Sequence, residues 1–492
     1  MKLDKQMRKI PSIIALALLL GSCSDWLEIY PTSGLITEQF WHTKEDIEAV
    51  LMGAYRSLSD MDADLLLHGE LRADMVQDLS NTPNNLENIK DGIIEPSNNF
   101  VKWDGFYKTI NYCNLVLEKS PEVLDDDPTF SQIQLIYYQS EAKFIRGLTY
   151  FYLVRIFDRV PYVVEPTLAD DSKLYYPNVS GDSILSEVVA ELNQIGTNFL
   201  PLDYGSLEYN KGRATYKAVQ ALLADIALWQ FRYEDCLAHI QNIENNSVEG
   251  LEILPVEEWR NIFYPGNSEE SIFEFQFSDA DAESNSLYNL TYGTGIAIEG
   301  SIAAIEAFET DFGSLRSRFS LNMNRIMKYA LNNSGNLRSD IDQNAANLIL
   351  YRYADLILMK AEALAMLGNF DEAEILINQI HRRSNPLLEN LEIPRKQTSF
   401  EDAILHERAK EFAYEGKRWF DLLRMGRRDN YLRKGLFIEY VVSQYPEQDK
   451  FVKRSRLRDP NGWYLPIHEK ELENNPELVQ NPYYASFVSS DK

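Results

Sequence analysis

The sequence contains few of the residues that most often carry out chemistry in proteins. Only three of its 492 residues are cysteines, at positions 23, 113 and 236, too few for a disulfide framework over this length. None of the six histidines lies near cysteine or aspartate at a spacing typical of transition-metal sites, and no HExxH, GxSxG or phosphate-loop motif occurs. We therefore expect no metal, no cofactor and no catalytic nucleophile, and we expect Cys113 and Cys236 to be buried thiols.

Positive charge is also scarce in this chain. Lys and Arg number 48 against 75 Asp and Glu, which gives a formal net charge of −27. Nucleic acids and anionic membrane surfaces attract proteins with an excess of Lys and Arg, so this balance argues against both as partners. Hydrophobic residues make up 45% of the chain, which is typical of a globular protein with a large core.

Long apolar runs are missing beyond the first residues. Four basic residues among the first nine precede a mostly apolar run, Ile10–Leu20. This run is shorter than the ~20 residues that span a bilayer, but it suits the apolar part of a signal peptide. It ends in Leu20-Gly21-Ser22-Cys23, which resembles a bacterial lipobox. The pattern predicts a signal peptide over residues 1–22 and lipidation of Cys23, so that a lipid anchors the mature chain.

Helical periodicity dominates the rest of the sequence and predicts a mostly α fold. The run 272–277 alternates as a strand does, and segments rich in Asn, Gly, Ser and Asp at 79–99, 200–213, 278–300 and 331–346 are predicted to be loops. Apolar residues at helical spacing with few internal Gly or Pro define the predicted helices. These helices are 44–58, 131–157, 182–195, 214–230, 233–244, 351–367, 370–382 and 401–425.

An internal repeat relates two of the helical regions. Ala221–Ile243 and Leu358–Ile380 align with an offset of 137 residues, and each reads as a helix, a tight turn, an aromatic residue and a second helix. The pattern resembles the tetratricopeptide unit, in which small residues let paired helices approach closely. Two unrelated helical hairpins are the alternative interpretation. The aligned pairs include Ala224 with Ala361, Tyr233 with Phe370, and Cys236 with Ala373.

Four blocks of residues follow one another in order along the mature chain. The first comprises Cys23-Ser24-Asp25-Trp26-Leu27-Glu28, Phe40-Trp41 and Ala54-Tyr55, and the second comprises Glu141-Ala142-Lys143-Phe144-Ile145-Arg146 and Val160-Pro161-Tyr162. The third comprises Tyr351-Arg352-Tyr353-Ala354-Asp355-Leu356, Glu407-Arg408, Glu411-Phe412, Glu415-Gly416 and Arg418-Trp419-Phe420-Asp421-Leu422, and the fourth comprises Tyr464-Leu465-Pro466-Ile467 and Gln480-Asn481-Pro482.

Together these four blocks resemble the SusD/RagB family of outer-membrane nutrient-binding lipoproteins. The resemblance implies one SusD-like domain over residues 23–492. Tetratricopeptide-like helices are expected in its N-terminal half (about 23–270), a loop-rich ligand region at 271–345, and a C-terminal helical half at 346–492. The resemblance also implies a location at the outer membrane, facing the exterior, and a partner: a SusC-like TonB-dependent barrel transporter. In the family, variable loops carry the ligand contacts, so no ligand residue can be transferred by motif.

The densest charged stretch, residues 404–424, has two interpretations. Paired carboxylates such as Glu407 and Glu411 could perform acid–base chemistry in a glycoside hydrolase. However, the acids alternate with arginines, which neutralise carboxylates through forked hydrogen bonds and lower their pKa. We therefore predict a structural ion-pair network here, and likewise for Arg352 and Asp355. The acidic run 125–127 could hold Ca²⁺, but a solvated loop is the favoured interpretation.

Two polar loops offer the residue types that a sugar-binding site needs. Sugar rings present C–H faces that stack on aromatic rings, and hydroxyl groups that pair with amides and carboxylates. The loop 278–295 contains both kinds of residue, and the asparagine-rich loop 78–99 leads to the aromatic residues Phe100 and Trp103. For each loop, an ordinary surface loop is the alternative. The candidate ligand-binding residues are Asn84, Asn85, Asn285, Tyr288, Asn289 and Tyr292. Trp103 is expected to belong to the core, because it continues a helical pattern.

Together these features predict a surface lipoprotein, not an enzyme, that captures an oligosaccharide or polysaccharide and passes it to a transporter. A peptide-binding member of the same family and a surface glycoside hydrolase are the alternatives, and the predicted lipobox argues against an intracellular scaffold.

Overall fold

The computed structural model describes residues 40–78, 82–167, 175–201, 203–246, 251–278, 284–293, 297–311, 314–338 and 344–485. The predicted signal peptide and Cys23 lie outside these residues. The fold is mostly helical with a few short strands, which confirms the predicted fold class. None of the helices in the described part of the chain is long and apolar enough to cross a bilayer.

The N-terminal half consists mainly of helices, joined by short connections. Its helices are α1 (Lys44–Ser59), α2 (Asp62–Glu70), α3 (Asn84–Lys90), α4 (Asp104–Asp126), α5 (Gln132–Phe157), α6 (Gly181–Leu192), α7 (Leu207–Gly212), α8 (Tyr216–Trp229) and α9 (Tyr233–Asn245). Its strands are β1 (Val76–Asp78), β2 (Arg159–Pro161) and β3 (Asn178–Ser180).

The central and C-terminal parts contain further short strands, followed by helices. The strands are β4 (Ser271–Phe275), β5 (Ile298–Gly300), β6 (Leu321–Asn322), β7 (Arg325–Ile326) and β8 (Leu348–Arg352). The helices are α10 (Leu287–Thr291), α11 (Ile302–Glu309), α12 (Leu315–Ser320), α13 (Tyr353–Met366), α14 (Phe370–Ser384), α15 (Gln397–Glu411), α16 (Arg418–Tyr431), α17 (Lys434–Val442), α18 (Glu447–Arg456) and α19 (Glu469–Asn474). Each strand pairs antiparallel with one other strand, in the order β1–β5, β2–β3, β4–β8 and β6–β7.

Local sequence signals explain where several helices begin. Thr43 and Asp46 form a reciprocal capping box at the start of α1, and Ser131 and Gln134 form another at the start of α5. Asp127 joins these two helices, because its carboxylate accepts hydrogen bonds from the Lys44 backbone N–H (3.0 Å) and from Thr129. Asp125 and Asp126 are the exposed last residues of α4, and Asp127 follows this helix and supports the start of α1, so the run is a solvated helix end and not the predicted solvated loop.

The predicted internal repeat is present as two packed helix pairs. Helices α8 and α9 form the first pair, α13 and α14 form the second, and α9 packs against α13. The small residues Ala224, Ala361, Cys236 and Ala373 are all fully buried, as close helix approach requires. Cys113 is buried as well, which confirms the expectation for both thiols.

The turns inside the two repeats also match, with one informative difference. Residue 231 in the first turn and residue 368 in the second both adopt left-handed backbone, with φ of 61° and 86°. In each turn the following N–H bonds back to a carbonyl five residues earlier, from Arg232 to Ala227 and from Asn369 to Leu364. Glycine occupies the left-handed position only in the second repeat, and Phe231 occupies it in the first.

The structure corrects the single predicted helix at 401–425. The chain forms α15 and α16 there, separated at 412–417 by a turn in which Tyr414 and Gly416 have φ of 66° and 74°. Helix α2 packs directly on this turn, since a Cβ at Gly69 would lie 1.8 Å from the Gly416 carbonyl oxygen. The Glu70 carboxylate then accepts hydrogen bonds from the Gly416 N–H (2.9 Å) and the Lys417 N–H (3.3 Å). A distant helix therefore supports the turn, so local periodicity could not reveal it.

Three predicted loops were also incomplete, because they contain the short helices α3, α7 and α10. The predicted strand at 272–277 is confirmed as β4, but both of its faces are buried. Glu274 is fully buried in this strand, and its carboxylate accepts hydrogen bonds from Asn267, Ser271 and Asn347. The polar positions in its alternating pattern therefore reflect internal hydrogen bonds rather than solvent exposure.

Candidate functional site

The acid-rich stretch considered for catalysis forms a buried ion-pair network. Glu407 and Glu411 lie one turn apart on α15, and both accept hydrogen bonds from Arg316 Nη1, at 2.7 and 2.9 Å. Arg352 bonds to Glu411 (2.6 Å) and, through two nitrogens, to Glu415 (2.9 and 3.0 Å). All five side chains are at most 3% exposed, so these carboxylates are buried away from solvent.

The electrostatics of these glutamates are unsuited to general acid catalysis. Burial by itself raises the pKa of Glu407, but Arg316 and Lys410 outweigh burial and hold that pKa well below its ordinary value. The pKa of Glu411 is lowered in the same way by Arg383, Arg352 and Arg316. A general acid needs a raised pKa, so the predicted structural role of this stretch is confirmed for the described carboxylates.

The ion-pair role predicted for Arg352 and Asp355 holds, but the two residues are not partners. Arg352 pairs with Glu270, Glu411 and Glu415, whereas Asp355 accepts hydrogen bonds from Arg408 (2.7 Å) and Lys417 (2.6 Å). Because Arg352 is the last residue of β8 and Asp355 lies in the first turn of α13, their side chains diverge. A separation of only three residues in the sequence therefore does not place these two side chains in contact.

The two polar loops proposed for ligand binding are neighbours in the fold. Strands β1 and β5 pair, with Val76 opposite Gly300 and Asp78 opposite Ile298. Thr82 Oγ1, just beyond β1, donates a hydrogen bond to the Ala297 carbonyl at 2.8 Å. We call the region around α3, α10 and the β1–β5 pair the loop surface.

Four of the six candidate residues present side chains at the loop surface. Asn84 and Asn85 begin α3, and both are exposed, as is Asn289 on α10. Tyr292 follows α10, is partly exposed, and has its ring 5.7 Å from that of Tyr288. These four residues combine amides with an accessible aromatic ring, which is the mixture that the sugar-binding hypothesis requires.

The surroundings of the other two candidates indicate a different role. Asn285 is 7% exposed, and its carboxamide donates to the Ala346 carbonyl and accepts from the Leu287 N–H (3.0 Å), so its polar atoms stabilise the start of α10. Tyr288 is also 7% exposed, and its ring lies next to that of Tyr292 at a tilted angle, so little of the Tyr288 ring reaches solvent. Both residues support the loop surface instead of presenting groups to a ligand.

Sequence reasoning missed a row of planar polar groups beside these loops. The Glu299 carboxylate on β5 accepts hydrogen bonds from Gln77 Nε2 on β1 (2.8 Å) and from Asn324 Nδ2 (2.6 Å). Gln77 and Asn324 are half-buried, and the neighbouring Met323 is 86% exposed. The hairpin of β6 and β7, which contains Asn324, is formed by neighbouring residues and could be predicted from local sequence. The β1–β5 pairing could not, because it joins residues more than 200 positions apart.

No group of three or more His, Cys, Asp or Glu side chains is arranged to hold a metal ion within the described ranges.

Comparison with known proteins places the whole chain among related sequences. A family model described as the SusD family matches residues 307–484, and a second, described as starch-binding associating with outer membrane, matches residues 25–228. A SusD-like protein of Formosa agariphila is 27% identical, over 95% of this chain and 96% of the relative. A SusD-like protein of Bacteroides ovatus is 23% identical, over 84% of this chain and 82% of the relative.

Solved structures share the fold. A SusD superfamily protein of Bacteroides vulgatus superposes with a TM-score of 0.74 at 20% identity, covering 90% of this chain and 100% of that one. The B. fragilis protein NanU superposes with a TM-score of 0.69 at 22% identity, covering 93% of this chain and 100% of that one. At such identities the likeness concerns architecture.

Proposed function

The chain belongs to the SusD/RagB family, and on this premise we propose that it is a surface glycan-binding protein that captures oligosaccharides or polysaccharides without cleaving them. One observation supports this proposal most directly. The fold brings two polar loops together at the β1–β5 pair, and their exposed side chains combine amides with an aromatic ring. The acid-rich stretch, in contrast, is occupied by buried ion pairs.

Binding at the loop surface is proposed to be reversible and to use a preformed site. Tyr292 stacks against the C–H face of a sugar ring, while Asn84, Asn85 and Asn289 pair with hydroxyl groups. The buried Asn285 and Tyr288 hold the loop beneath, so little ordering is required when the ligand binds. Moderate affinity suits a protein that must release its ligand to a transporter.

Affinity gel electrophoresis tests this function. The purified protein is run through gels containing starch, xylan, laminarin or β-mannan, beside a Tyr292→Ala/Asn289→Ala variant. Wild-type protein is expected to be retarded by at least one polysaccharide, and the variant is expected to migrate as in a gel without glycan. Tyr288 is left in place, since truncating a buried ring would create a cavity.

Tyr209→Ala is the matched control, because Tyr209 is 57% exposed on α7, away from the loop surface. It should leave retardation unchanged. Retardation that survives the Tyr292→Ala/Asn289→Ala change would exclude the loop surface, and release of reducing ends from any polysaccharide by wild-type protein would contradict the non-enzymatic role.

We further propose that Cys23 carries the lipid anchor, that the protein faces the exterior at the outer membrane, and that a SusC-like TonB-dependent transporter receives the glycan. The lipobox-like Leu20-Gly21-Ser22-Cys23 and family membership support these points. Labelling cells with radioactive palmitate tests the anchor, because Cys23→Ser should abolish incorporation. Co-purification with a barrel transporter from detergent extracts tests the partnership.

A further inference from the structure

A cleft lined by aromatic rings lies outside the loop surface. Its volume is about 410 Å³, within the range usual for small-molecule sites. We call it the aromatic cleft, and it is defined by Trp103, Tyr107, Tyr175, Tyr176, Glu471 and Asn474. None of these residues belongs to α3, α10 or the β1–β5 pair.

The floor of the aromatic cleft is rigid. The Trp103 ring packs edge-on against Tyr107 (5.6 Å between centroids) and against Phe157 (5.5 Å). The Tyr107 hydroxyl donates a hydrogen bond to the Pro161 carbonyl at 2.7 Å, which fixes the orientation of this ring. The buried Trp103 ring therefore supports the half-buried Tyr107 at the base of the cleft, while Tyr175 offers the exposed ring face that a sugar needs.

The two walls of the cleft are tied to each other. Asn475 Nδ2, just after α19, donates a hydrogen bond to the Tyr176 carbonyl at 2.9 Å. Val479 N–H donates to Asn178 Oδ1 at 2.8 Å, which joins the same two segments further along. The cleft is therefore a built feature of the fold and not a gap between independent loops.

The walls also present polar groups toward the opening. Tyr175 is 48% exposed, and Glu471 and Asn474 lie three residues apart on α19, so their side chains share one helix face. Within the described residues, no hydrogen bond or ion pair engages the Tyr175 hydroxyl, the Glu471 carboxylate or the Asn474 carboxamide. An aromatic face, a carboxylate and an amide thus converge on one opening.

We propose that the aromatic cleft is a second carbohydrate subsite, which binds one or two neutral sugar rings of a polymeric glycan. Tyr175 stacks on a ring, and Glu471 and Asn474 pair with adjacent hydroxyl groups. The Glu471 carboxylate and the acidic surface of the chain disfavour uronic or sulfated sugars, because like charges repel.

One chain segment connects this cleft to the loop surface. Asn98 Nδ2 donates a hydrogen bond to the Asn85 carbonyl at 2.9 Å, and the Glu469 N–H at the start of α19 donates to the Pro96 carbonyl at 3.0 Å. Residues 85–98 therefore run from α3 at the loop surface to the start of α19, the helix that carries Glu471 and Asn474. The inference rests on the proposed function, since two subsites on one polymer add avidity only if the loop surface binds that polymer as well.

Titration against polymer and against short oligosaccharide tests the second subsite. The probes are the polysaccharide that retards wild-type protein among starch, xylan, laminarin and β-mannan, and the disaccharide of its repeating unit. The cleft variant Tyr175→Ala/Asn474→Ala is expected to bind the polymer about tenfold more weakly, because one of two linked contacts is lost. The loop variant Tyr292→Ala/Asn289→Ala should lose retardation by the polymer but keep weak binding of the disaccharide at the intact cleft, and Tyr209→Ala should match wild type.

The outcomes separate the two proposals. A cleft variant with wild-type affinity for the polymer, together with a loop variant that does not bind, overturns the second subsite and leaves the proposed function intact. Absence of binding by wild-type protein to all four polysaccharides overturns both. Because Tyr175 and Asn474 are exposed, the cleft variant should keep the wild-type thermal midpoint, and a crystal soaked with the bound disaccharide should show a sugar ring against Tyr175.

Discussion

Arg418 and Asp74 face each other through two parallel hydrogen bonds, Nε to Oδ1 at 2.7 Å and Nη2 to Oδ2 at 2.8 Å. The two residues are 344 positions apart in sequence, and both are at most 5% exposed. The pair joins the segment after α2 to the start of α16. The pair also lies next to the β1–β5 strand pair, because the Ser301 hydroxyl, just after β5, donates a hydrogen bond to the Asp74 carbonyl.

Removing one partner of this pair should destabilise the protein strongly. Arg418→Met leaves Asp74 as an uncompensated buried charge, which costs about 3–5 kcal/mol of unfolding free energy. Urea denaturation followed by circular dichroism measures this loss. Arg454→Met is the matched control, since Arg454 makes the same forked contact with Glu439 but both side chains are exposed, and it should cost less than about 1 kcal/mol. Equal losses in the two variants would contradict the role assigned to burial.

Glu70 should make stability fall as pH rises. Burial raises the pKa of Glu70 from its ordinary 4.5 to about 8, although the Lys417 and Gly416 N–H groups act in the opposite direction. Between those two values the folded protein binds a proton at Glu70 that the unfolded chain has lost, so this residue's contribution to stability is lost with increasing pH.

The variant Glu70→Gln removes this pH dependence while it keeps an oxygen for the two backbone donors. At pH 4 the variant and wild type should be equally stable, because Glu70 is protonated in both states. At pH 9 the variant should be more stable by roughly 2–4 kcal/mol. Thermal or urea unfolding at both pH values measures the difference, and a variant that is destabilised equally at both would show that Glu70 is ionised when folded.

The left-handed turn in the second repeat gives a test of backbone conformation alone. A Cβ at Gly368 would contact nothing within 4 Å, so Gly368→Ala should cost about 1–2 kcal/mol only because its φ is 86°. Gly53 within α1 is equally uncrowded but helical, so Gly53→Ala should stabilise the protein by about 0.5–1 kcal/mol. Changes of the same sign in the two variants would refute this explanation.

The two internal thiols should not react in the folded protein. Cys113 and Cys236 are fully buried, and burial raises the pKa of Cys113 to about 12 and that of Cys236 further above its usual range. A protein beginning at Ser24, which lacks the proposed lipidation site, should take up no maleimide reagent until it is denatured, and then two equivalents by mass spectrometry. Rapid labelling under native conditions would show that one of the helix pairs opens.

The helix pairs could be predicted from the sequence because their signals are local. Ala224, Cys236 and their counterparts occupy the same positions in both units, and a hairpin of two helices requires only neighbouring residues. The break at 412–417 could not be predicted, since Glu70, far away in sequence, supports it. Residues 411–416 are all buried, so the pattern of apolar residues does not mark the end of α15.

For the candidate site, composition identified the loops but did not rank their residues. Asn285 and Asn289 are the same residue type four positions apart, yet one is buried as a cap for α10 and the other is exposed. Only the contact with residues 344–346 decides between these roles. Likewise, the aromatic cleft joins residues near positions 103, 175 and 474, which share no local pattern.

The insertion between the two helix pairs has a consequence for biosynthesis. Helices α8 and α9 leave the ribosome well before α13, the partner that covers α9, has been made. Until α13 has been synthesised, the apolar surface of α9 stays exposed in a partly folded intermediate. Folding is completed only when the C-terminal third of the chain is available, and contacts between residues so distant in sequence form slowly. Fragments that end after α9 should therefore aggregate or be degraded. The chain should depend most on chaperones between the synthesis of α9 and that of α13.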